Sequence, residues 1–224
     1  MKNSKINYKD FRLSKINEPE YRHLWYLIAW PIYFICHILT ELLISEDICT
    51  PVYCYIDDLV PFCEYFVIAY CGWYFLVAGT LFYFLRHNVD NFKNLMKFII
   101  VTQIFAMLIY ILFPNRQDLR PVEFARNNIF TDCVKALYNV DTNTNVCPSL
   151  HVSFSLAVAS AWIKENSVSC MFKFGIVVFC LIVCASVAFI KQHSVVDILV
   201  AVPICIMAEV ISYKKYYLHT FKRH

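Results

Sequence analysis

The chain has 224 residues, of which 59% are hydrophobic and 17% aromatic, and its formal net charge is +3. A soluble domain of this length needs more polar residues to cover its surface, so the composition indicates an integral membrane protein. The lipid bilayer is therefore an expected partner. The small net charge, with basic residues beside apolar segments rather than in a stripe, excludes nucleic acid as a partner.

Six apolar segments are long enough, or nearly so, to cross the hydrocarbon core, which takes roughly 20 residues. In chain order they are residues 24–45, 65–86, 94–113, 150–164, 171–190 and 194–213. The fourth is the shortest, and its serines are typical of a helix that packs inside a bundle. We therefore predict an all-α fold, an integral membrane bundle of about six transmembrane helices.

The chain is predicted to hold one domain with two basic extensions. These are an N-terminal segment of residues 1–23, a six-helix membrane domain of residues 24–213, and a tail of residues 214–224. In the N-terminal segment Tyr8 and Phe11 interleave with basic residues. This pattern is typical either of a basic interfacial helix or of a solvated tail.

Lysine and arginine are distributed unevenly among the connections. The basic residues before the first span and after the last are Lys2, Lys5, Lys9, Arg12, Lys15, Arg22, Lys214, Lys215, Lys222 and Arg223. The first connection has several acidic residues and no basic one. By the positive-inside rule both termini are cytoplasmic, and the first, third and fifth connections face outward. Richness in Asn, Lys, Ile, Tyr and Phe is typical of an AT-rich genome, which fits many bacteria, so the expected location is a bacterial plasma membrane.

The eleven cysteines contain no Cys-x-x-Cys pair and give no metal-binding pattern, and no cofactor is predicted. Most lie inside apolar segments, where cysteine behaves as a small hydrophobic residue. Two pairs fall in predicted outer connections, Cys49 with Cys54 and Cys133 with Cys147. An oxidising compartment would allow each pair to form a disulfide, and the sequence leaves this open.

Two histidines stand at the beginning of strongly apolar segments, where an ionisable side chain is costly and suggests a functional site. His193 and Asp197 are four residues apart at a predicted helix start, so their side chains share one face. The carboxylate can hold one imidazole nitrogen and leave the other to attack an electrophile. The same pair is also typical of a polar cap at the membrane–water interface.

The sequence Pro148-Ser149-Leu150-His151 predicts a second helix start. Ser149 is the expected N-cap, and the backbone N–H groups from Leu150 onward form a natural phosphate site. His151 lies in the first turn, where it could protonate a leaving oxygen. Taken alone, the motif is more often an ordinary capped helix.

Three cations lie in the same outer connections as the histidines: Arg116, Arg120 and Lys191. Their side chains can clamp phosphate oxygens and stabilise the charge of phosphoryl transfer. Single residues of this kind are more often interfacial anchors. Taken together, two histidines, one aspartate and three cations on one predicted face supply a nucleophile, an acid and a phosphate clamp.

In order and spacing these residues resemble the type 2 phosphatidic acid phosphatase superfamily, over roughly residues 110–200. Its motifs are Lys-x6-Arg-Pro, Pro-Ser-Gly-His and Ser-Arg-x5-His-x3-Asp. The matching residues are Arg120, Pro121, Pro148, Ser149, His151, Ser186, His193 and Asp197. The family's lysine, glycine and second arginine are replaced here by Phe113, Leu150 and Val187.

The resemblance implies a membrane enzyme of six helices that works without a metal through a phosphohistidine intermediate. It assigns the nucleophile to His193, the orientation of that imidazole to Asp197, and proton transfer to His151. Arg116 and Lys191 are candidates to replace the two missing cations. Arg120, Ser149 and Leu150 would complete the phosphate site.

A branch of the superfamily, similar to inositol phosphorylceramide synthases, shares further features with the chain. These are Leu150, the Lys-Gln-His order at residues 191–193, and the segment Asp57-Asp58…Pro61-Phe62. Members of that branch transfer a phospho-headgroup to a lipid alcohol. A lipid alcohol acceptor is therefore expected if the reaction is transfer.

The sequence thus predicts a phosphoric ester hydrolase (a lipid phosphatase) or a lipid phosphotransferase. Its substrate would be a lipid phosphate, and its active site would lie on the non-cytoplasmic face. The alternative is a non-catalytic membrane protein that binds or transports lipids and retains only the scaffold. The missing family lysine and arginine motivate this alternative.

Overall fold

The computed structural model describes residues 6–221, with side chains as far as Leu218, and this part of the chain is mostly helical with almost no strand. It contains α1 (Ala29–Leu43), α2 (Ile56–Leu59), α3 (Val67–His87), α4 (Val89–Leu112), α5 (Ile129–Val140), α6 (Leu150–Ile163), α7 (Cys170–Phe189) and α8 (Val195–Phe221). Two short strands, β1 (Thr50–Pro51) and β2 (Asn115–Arg116), pair in parallel. The predicted all-α bundle is confirmed.

Within residues 6–221, five helical segments are long and apolar enough to cross a membrane. They are Arg22–Leu43, Glu64–His87, Val89–Leu112, Cys170–Phe189 and Val195–Leu218. The fourth predicted span, residues 150–164, is the 14-residue helix α6. At 1.5 Å per residue it is about 21 Å long, shorter than a hydrocarbon core of about 30 Å. The six expected spans are therefore five spanning helices and one shorter apolar helix.

The short helix α6 occupies the centre of the bundle, where it packs against α3, α4, α7 and α8. Its small side chains let these neighbours approach closely; they are Ser153, Ser155, Ala157, Ala159 and Ala161. Because protein surrounds α6, its ends need not reach the edges of a bilayer. Its central position explains why a helix of this length is stable there.

The first helix, α1, lies at the edge of the bundle. Thr40 is its one buried residue, and Ile32, Phe34 and Ile35 expose more than half of their surface. An apolar face of this size on a membrane protein is suited to contact with lipid chains. α1 therefore packs against the bundle on one side and exposes an apolar face suited to lipid on the other.

The structure contains a further helix, α5, in the connection between the third and fourth predicted spans. No helix was predicted there from the sequence. Asn128 caps α5, since its side-chain oxygen accepts from the N–H groups of Phe130 and Thr131 at 3.0 Å. Thr131 and Val134 are buried against the bundle. The long connection is thus folded onto the end of the bundle at which α6 and α8 begin, which we call the site end.

The predicted N-terminal segment docks on the opposite end of the bundle. The Tyr8 hydroxyl donates to the carbonyl of Leu85 at 2.9 Å and lies 2.7 Å from the buried His23 ring. The segment is neither a continuous interfacial helix nor a free tail, because its described part forms short 3₁₀ turns. Parts of the two basic extensions, including Lys2, Lys5, Lys222 and Arg223, lie outside the described residues.

All eleven cysteines are free thiols in the structure. The two candidate disulfides, Cys49 with Cys54 and Cys133 with Cys147, are therefore not formed. Cys49 and Cys147 are buried, whereas Cys133 is exposed on α5. The site end is held by hydrogen bonds and packing rather than by these crosslinks.

Candidate functional site

A tight turn between α7 and α8 places His193. Lys191 adopts a left-handed backbone conformation with φ of 55°. The N–H groups of Gln192 and His193 both donate to the carbonyl of Val187, at 2.9 and 3.0 Å. A residue other than glycine at positive φ is uncommon and is held there by its surroundings. The turn therefore fixes the imidazole at the start of α8.

His193 and Asp197 form a buried pair. The Nδ1 atom of His193 lies 3.1 Å from Oδ2 of Asp197, and the two residues are 8% and 0% exposed. The N–H of Ser194 donates to the same carboxylate oxygen at 3.0 Å. Because a carboxylate only accepts, the imidazole proton belongs on Nδ1, and Nε2 keeps its lone pair. The spacing of four residues predicted this contact.

His151 lies in the first turn of α6, and its ring is directed toward the His193 ring. Its ring stacks on Tyr70 at 4.1 Å between centroids and lies 4.2 Å from Trp73. Its Nε2 atom is buried and has no hydrogen-bond partner among the described residues. The His151 and His193 ring centroids are 5.9 Å apart. Two histidines that are distant in sequence are thus brought together, as the sequence predicted.

Ser149 joins the two helix starts rather than lining the site. Its side-chain oxygen caps α6 by accepting from the N–H of Val152 at 3.5 Å, and its own N–H donates to the carbonyl of Asp197 at 3.2 Å. Nearby, burial raises the pKa of the Cys147 thiol to about 12, and the Asp197 charge adds to this rise. The N-terminal ends of α6 and α8 therefore meet at one place.

A cavity of about 90 Å³ lies at this meeting point. It is lined by Tyr33, His37, Tyr110, Asp141, Thr142, Thr144, Asn145, Val146, Leu150, His151, Gln192 and His193. The two predicted catalytic histidines and Leu150 thus line one space, together with residues of α1, α4 and the segment that follows α5. None of these twelve residues is lysine or arginine.

The two predicted arginines are not among the lining residues, and both donate to groups of the protein. Arg116 donates to Asp118 at 3.1 Å and to the carbonyl of Glu46 at 2.9 Å. Arg120 donates to the carbonyls of Tyr138, Asp141 and Thr142, at 3.1, 2.7 and 2.8 Å. Buried loop carbonyls need donors, and guanidinium groups supply several each. The structure therefore does not place either arginine where the sequence predicted a phosphate clamp.

Lys191 also points away from the cavity. Its Nζ donates to the carbonyls of Asp57 and Val60, at 2.7 and 2.6 Å. Burial lowers the pKa of this ammonium, and the charges of Asp57 and Asp58 partly oppose that change. A partly buried ammonium needs acceptors, and these carbonyls provide them. Lys191 thus ties the first connection to the turn that carries His193.

Asp57 is a residue whose role the sequence did not reveal. It is 3% exposed, and its Oδ1 accepts from the N–H of Val195 at 2.7 Å. Its Oδ2 accepts from the Ser194 hydroxyl at 2.6 Å and from the N–H of Cys54 at 2.8 Å. Asp57 therefore caps α8 from another part of the chain. The sequence drew attention to it only through resemblance, as part of Asp57-Asp58…Pro61-Phe62.

Asp141 and Gln192 form a second unforeseen group in the cavity wall. Oδ2 of Asp141 accepts from the Tyr70 hydroxyl and from Nε2 of Gln192, both at 2.8 Å. Tyr70 is the ring on which His151 stacks. The only sequence signal was that Asp141 is an acidic residue shortly before the helix start at Ser149. Acidic residues are common at such positions, so this signal did not single out Asp141.

Among residues 6–221, no three His, Cys, Asp or Glu side chains are grouped to hold a metal ion. The chain was also compared with known proteins. No protein-family model, curated protein or solved structure matches it. The assignment of a function therefore depends on the geometry of the site and on the order of its motifs.

Proposed function

We propose that the chain is a membrane-bound lipid-phosphate phosphatase or phosphotransferase that works through a phosphohistidine intermediate. One observation carries the proposal: His193, paired with Asp197 at 3.1 Å, and His151 line a single cavity. This set supplies a nucleophile, the group that orients it, and an acid. The resemblance to the type 2 phosphatidic acid phosphatase superfamily, especially its inositol phosphorylceramide synthase-like branch, supports the same assignment.

In the first step, Nε2 of His193 attacks phosphorus, and an N–P bond forms as the bond from phosphorus to the lipid oxygen breaks. His151, which burial favours as the neutral imidazole in the free chain, takes up a proton as the phosphate anion binds beside it. It then gives this proton to the leaving oxygen, so the lipid leaves as an alcohol and His151 becomes neutral again. Asp197 stabilises the positive charge that develops on the His193 ring.

In the second step, neutral His151 takes a proton from water or from a lipid alcohol as that oxygen attacks phosphorus. The N–P bond breaks and His193 is restored. Water as the acceptor releases phosphate, whereas a lipid alcohol yields a new phospholipid. Adding lipid alcohols to the reaction and measuring both products separates the phosphatase from the phosphotransferase.

The phosphate oxygens are held by the start of α6. Backbone N–H groups in the first turn of a helix lack intrahelical acceptors, and the helix dipole favours an anion there. Leu150 and His151 occupy this turn, and Leu150 lines the cavity. For Arg120 to contact the phosphate directly, it would have to leave three carbonyls. We therefore assign Arg120 to the support of the loop behind the cavity.

We infer that the site lies on the non-cytoplasmic face of a bacterial plasma membrane, and the distribution of basic residues supports this choice of face. With both termini cytoplasmic, the connections that carry His151 and His193 face outward. The lipid-facing surface of α1, whose Tyr33 and His37 line the cavity, gives a membrane lipid a short path to the site.

A second candidate function is lipid binding or transport without catalysis. It is favoured by one observation, namely that Arg116, Arg120 and Lys191 all donate to backbone carbonyls and none lines the cavity. A protein of this kind would bind lipid phosphates and leave them intact. Turnover by the purified chain decides between the two.

The test compares the wild-type chain with His193→Ala and His87→Ala, each purified in detergent with a chelator and a panel of lipid phosphates. His87 is the matched control, because it ends α3 at the opposite end of the bundle and contacts Tyr83. We expect His87→Ala to keep wild-type turnover and His193→Ala to lose it while remaining folded. Wild-type turnover by His193→Ala, or binding without turnover by the wild-type chain, would overturn the proposal.

A further inference from the structure

The cavity offers few side-chain donors to the oxygens of a phosphate. No lysine or arginine of the described chain lines it, so its walls supply hydroxyl, amide and imidazole groups. Two of these donors are already engaged with the protein. The Tyr110 hydroxyl donates to the carbonyl of Pro148 at 2.9 Å. Nε2 of Gln192 donates to Asp141 at 2.8 Å and to the Tyr70 hydroxyl at 3.5 Å.

The donors on the segment that follows α5 are engaged as well, and their acceptors lie on α1. The Thr142 hydroxyl donates to Glu41, and Nδ2 of Asn145 donates to the Thr40 hydroxyl at 3.1 Å. The Thr144 hydroxyl lies 3.3 Å from that of Thr142, whose own proton is already used. These bonds hold α1 against the loop of the site. α1 therefore belongs to the site as well as to the surface that faces lipid.

Tyr33 is the lining residue of α1 whose hydroxyl is left over. This hydroxyl has no hydrogen-bond partner among the described residues, and solvent can reach it. The Tyr33 ring stacks on His37, with centroids 5.7 Å apart, and Nε2 of His37 lies 3.8 Å from Glu41. The three residues follow at intervals of four and share one face of α1. Within residues 6–221, Tyr33 is thus the lining residue with an uncommitted hydroxyl.

The position of Tyr33 does not suit an interfacial anchor. It lies near the middle of the span Arg22–Leu43, about 15 Å along the helix axis from Leu43. Tyrosines that anchor a span lie near its ends, where the hydroxyl reaches the headgroup layer. A hydroxyl inside a span that lacks a partner is costly. A ligand that accepts a hydrogen bond from Tyr33 is therefore favoured.

We propose that the Tyr33 hydroxyl donates a hydrogen bond to a phosphoryl oxygen of the substrate while His193 attacks the phosphorus. This inference rests on the proposed function and adds a second source of donors to the N–H groups in the first turn of α6. Tyr33 keeps its proton throughout, and the two histidines carry out the bond changes described above. A hydrogen bond to a charged oxygen is stronger than one to a neutral oxygen. Tyr33 therefore supplies part of the binding that the missing cations do not.

The test removes this hydroxyl alone. Tyr33→Phe keeps the ring that stacks on His37 and leaves no protein group without a partner, so we expect thermal unfolding in detergent to be unchanged. Isothermal titration with orthovanadate, an inorganic mimic of phosphate, compares this variant with the wild-type chain. The matched control is Tyr65→Phe, because the Tyr65 ring is exposed, packs on Phe130 of α5 and does not line the cavity.

We expect the dissociation constant of orthovanadate to rise at least tenfold in Tyr33→Phe and to keep its wild-type value in Tyr65→Phe, because the lost bond is to a charged oxygen. Initial rates with a lipid phosphate supply a second measurement. There kcat/KM should fall at least tenfold in Tyr33→Phe. Most of this change is expected in KM, because the oxygen is already charged in the bound substrate.

Equal vanadate affinity of the wild-type and Tyr33→Phe chains, an equal loss in Tyr65→Phe, or a lower unfolding temperature of Tyr33→Phe would overturn the inference and leave the proposed function intact. If the wild-type chain turns over lipids without measurable vanadate binding, an unchanged kcat/KM in Tyr33→Phe would overturn it. Vanadate binding without turnover of any lipid phosphate would overturn the proposed function, and the vanadate comparison would still decide the role of Tyr33. Neither binding nor turnover would overturn both.

Discussion

At the residue level, the reactivity assigned to His193 depends on a carboxylate that water does not reach. Asp197 is fully buried, and its Oδ2 accepts from both the His193 ring and the N–H of Ser194. The carboxylate fixes the tautomer of the imidazole, so that Nε2 is the free nitrogen. An amide in its place would favour the wrong tautomer, as is known for other oriented histidines.

We therefore expect Asp197→Asn to lower kcat by about 10²- to 10⁴-fold with little change in KM, because Asp197 itself does not line the cavity. Initial rates at varied lipid concentration measure both constants. Asp132→Asn, which removes an exposed carboxylate, is the control and should match the wild type. A KM defect with an intact kcat would contradict the orienting role of Asp197.

The two aspartates at the start of α8 show what sequence can and cannot reveal about single residues. Asp197 was predicted as the partner of His193 because a spacing of four residues is local and helical. Asp57 reaches Val195 from 138 residues away, and no local pattern records such a contact. For a related reason, the sequence shows the charge of Arg116, Arg120 and Lys191 but not the carbonyls to which they donate.

At the level of elements, the start of α8 depends on that distant cap. Asp57→Ala leaves the Val195 N–H and the Ser194 hydroxyl without their acceptor, so we expect a loss of about 1–2 kcal/mol in stability and a lower kcat. Unfolding in detergent and initial rates measure the two effects. Asp47→Ala, which removes an exposed carboxylate of the same connection, should change neither. Equal behaviour of the two variants would refute the capping role.

The packing of α3 on α7 can be tested with two glycines of α3. A Cβ at Gly72 would lie 2.9 Å from the Phe179 ring, whereas one at Gly79 would meet nothing within 4 Å. Gly79→Ala should therefore be neutral or slightly stabilising, and Gly72→Ala should be less stable than Gly79→Ala because the ring must move. Thermal unfolding of both variants checks this ranking. The reverse order would contradict the contact.

The helices themselves were predictable to different degrees. Long apolar runs predicted the spanning helices, because a run of about 20 apolar residues is typical of a transmembrane helix and of few other structures. The short apolar run and the serines of α6 indicated both its length and its place inside the bundle, whereas its contacts with particular neighbouring helices could not be read from the sequence. Residues Phe130, Val134, Leu137 and Tyr138 of α5 follow the helical repeat, a signal that predicts the helix when it is sought.

At the level of the whole molecule, the orientation in the membrane can be tested with thiols at the two ends of the bundle. Two exposed cysteines mark the two ends of the bundle: Cys133 on α5 at the site end, and Cys170 at the start of α7. α7 is 20 residues long, so Cys170 lies about 30 Å from the turn that carries His193. These thiols therefore report on opposite sides of a bilayer.

We expect a membrane-impermeant thiol reagent to label a variant that retains Cys133 alone in intact cells, and to label one that retains Cys170 alone only after permeabilisation. A variant without cysteines is the background control. The opposite labelling pattern would place the site on the cytoplasmic face and contradict the charge-based orientation.

The most direct test of the account is detection of the covalent intermediate itself. Wild-type and His193→Ala chains are incubated with a lipid phosphate in the presence of a chelator, quenched in alkali to preserve an acid-labile N–P bond, and digested for mass spectrometry. We expect a phosphoryl or phospho-headgroup adduct on His193 of the wild-type chain and none on the variant. Steady turnover without an adduct, or an adduct on another residue, would contradict it.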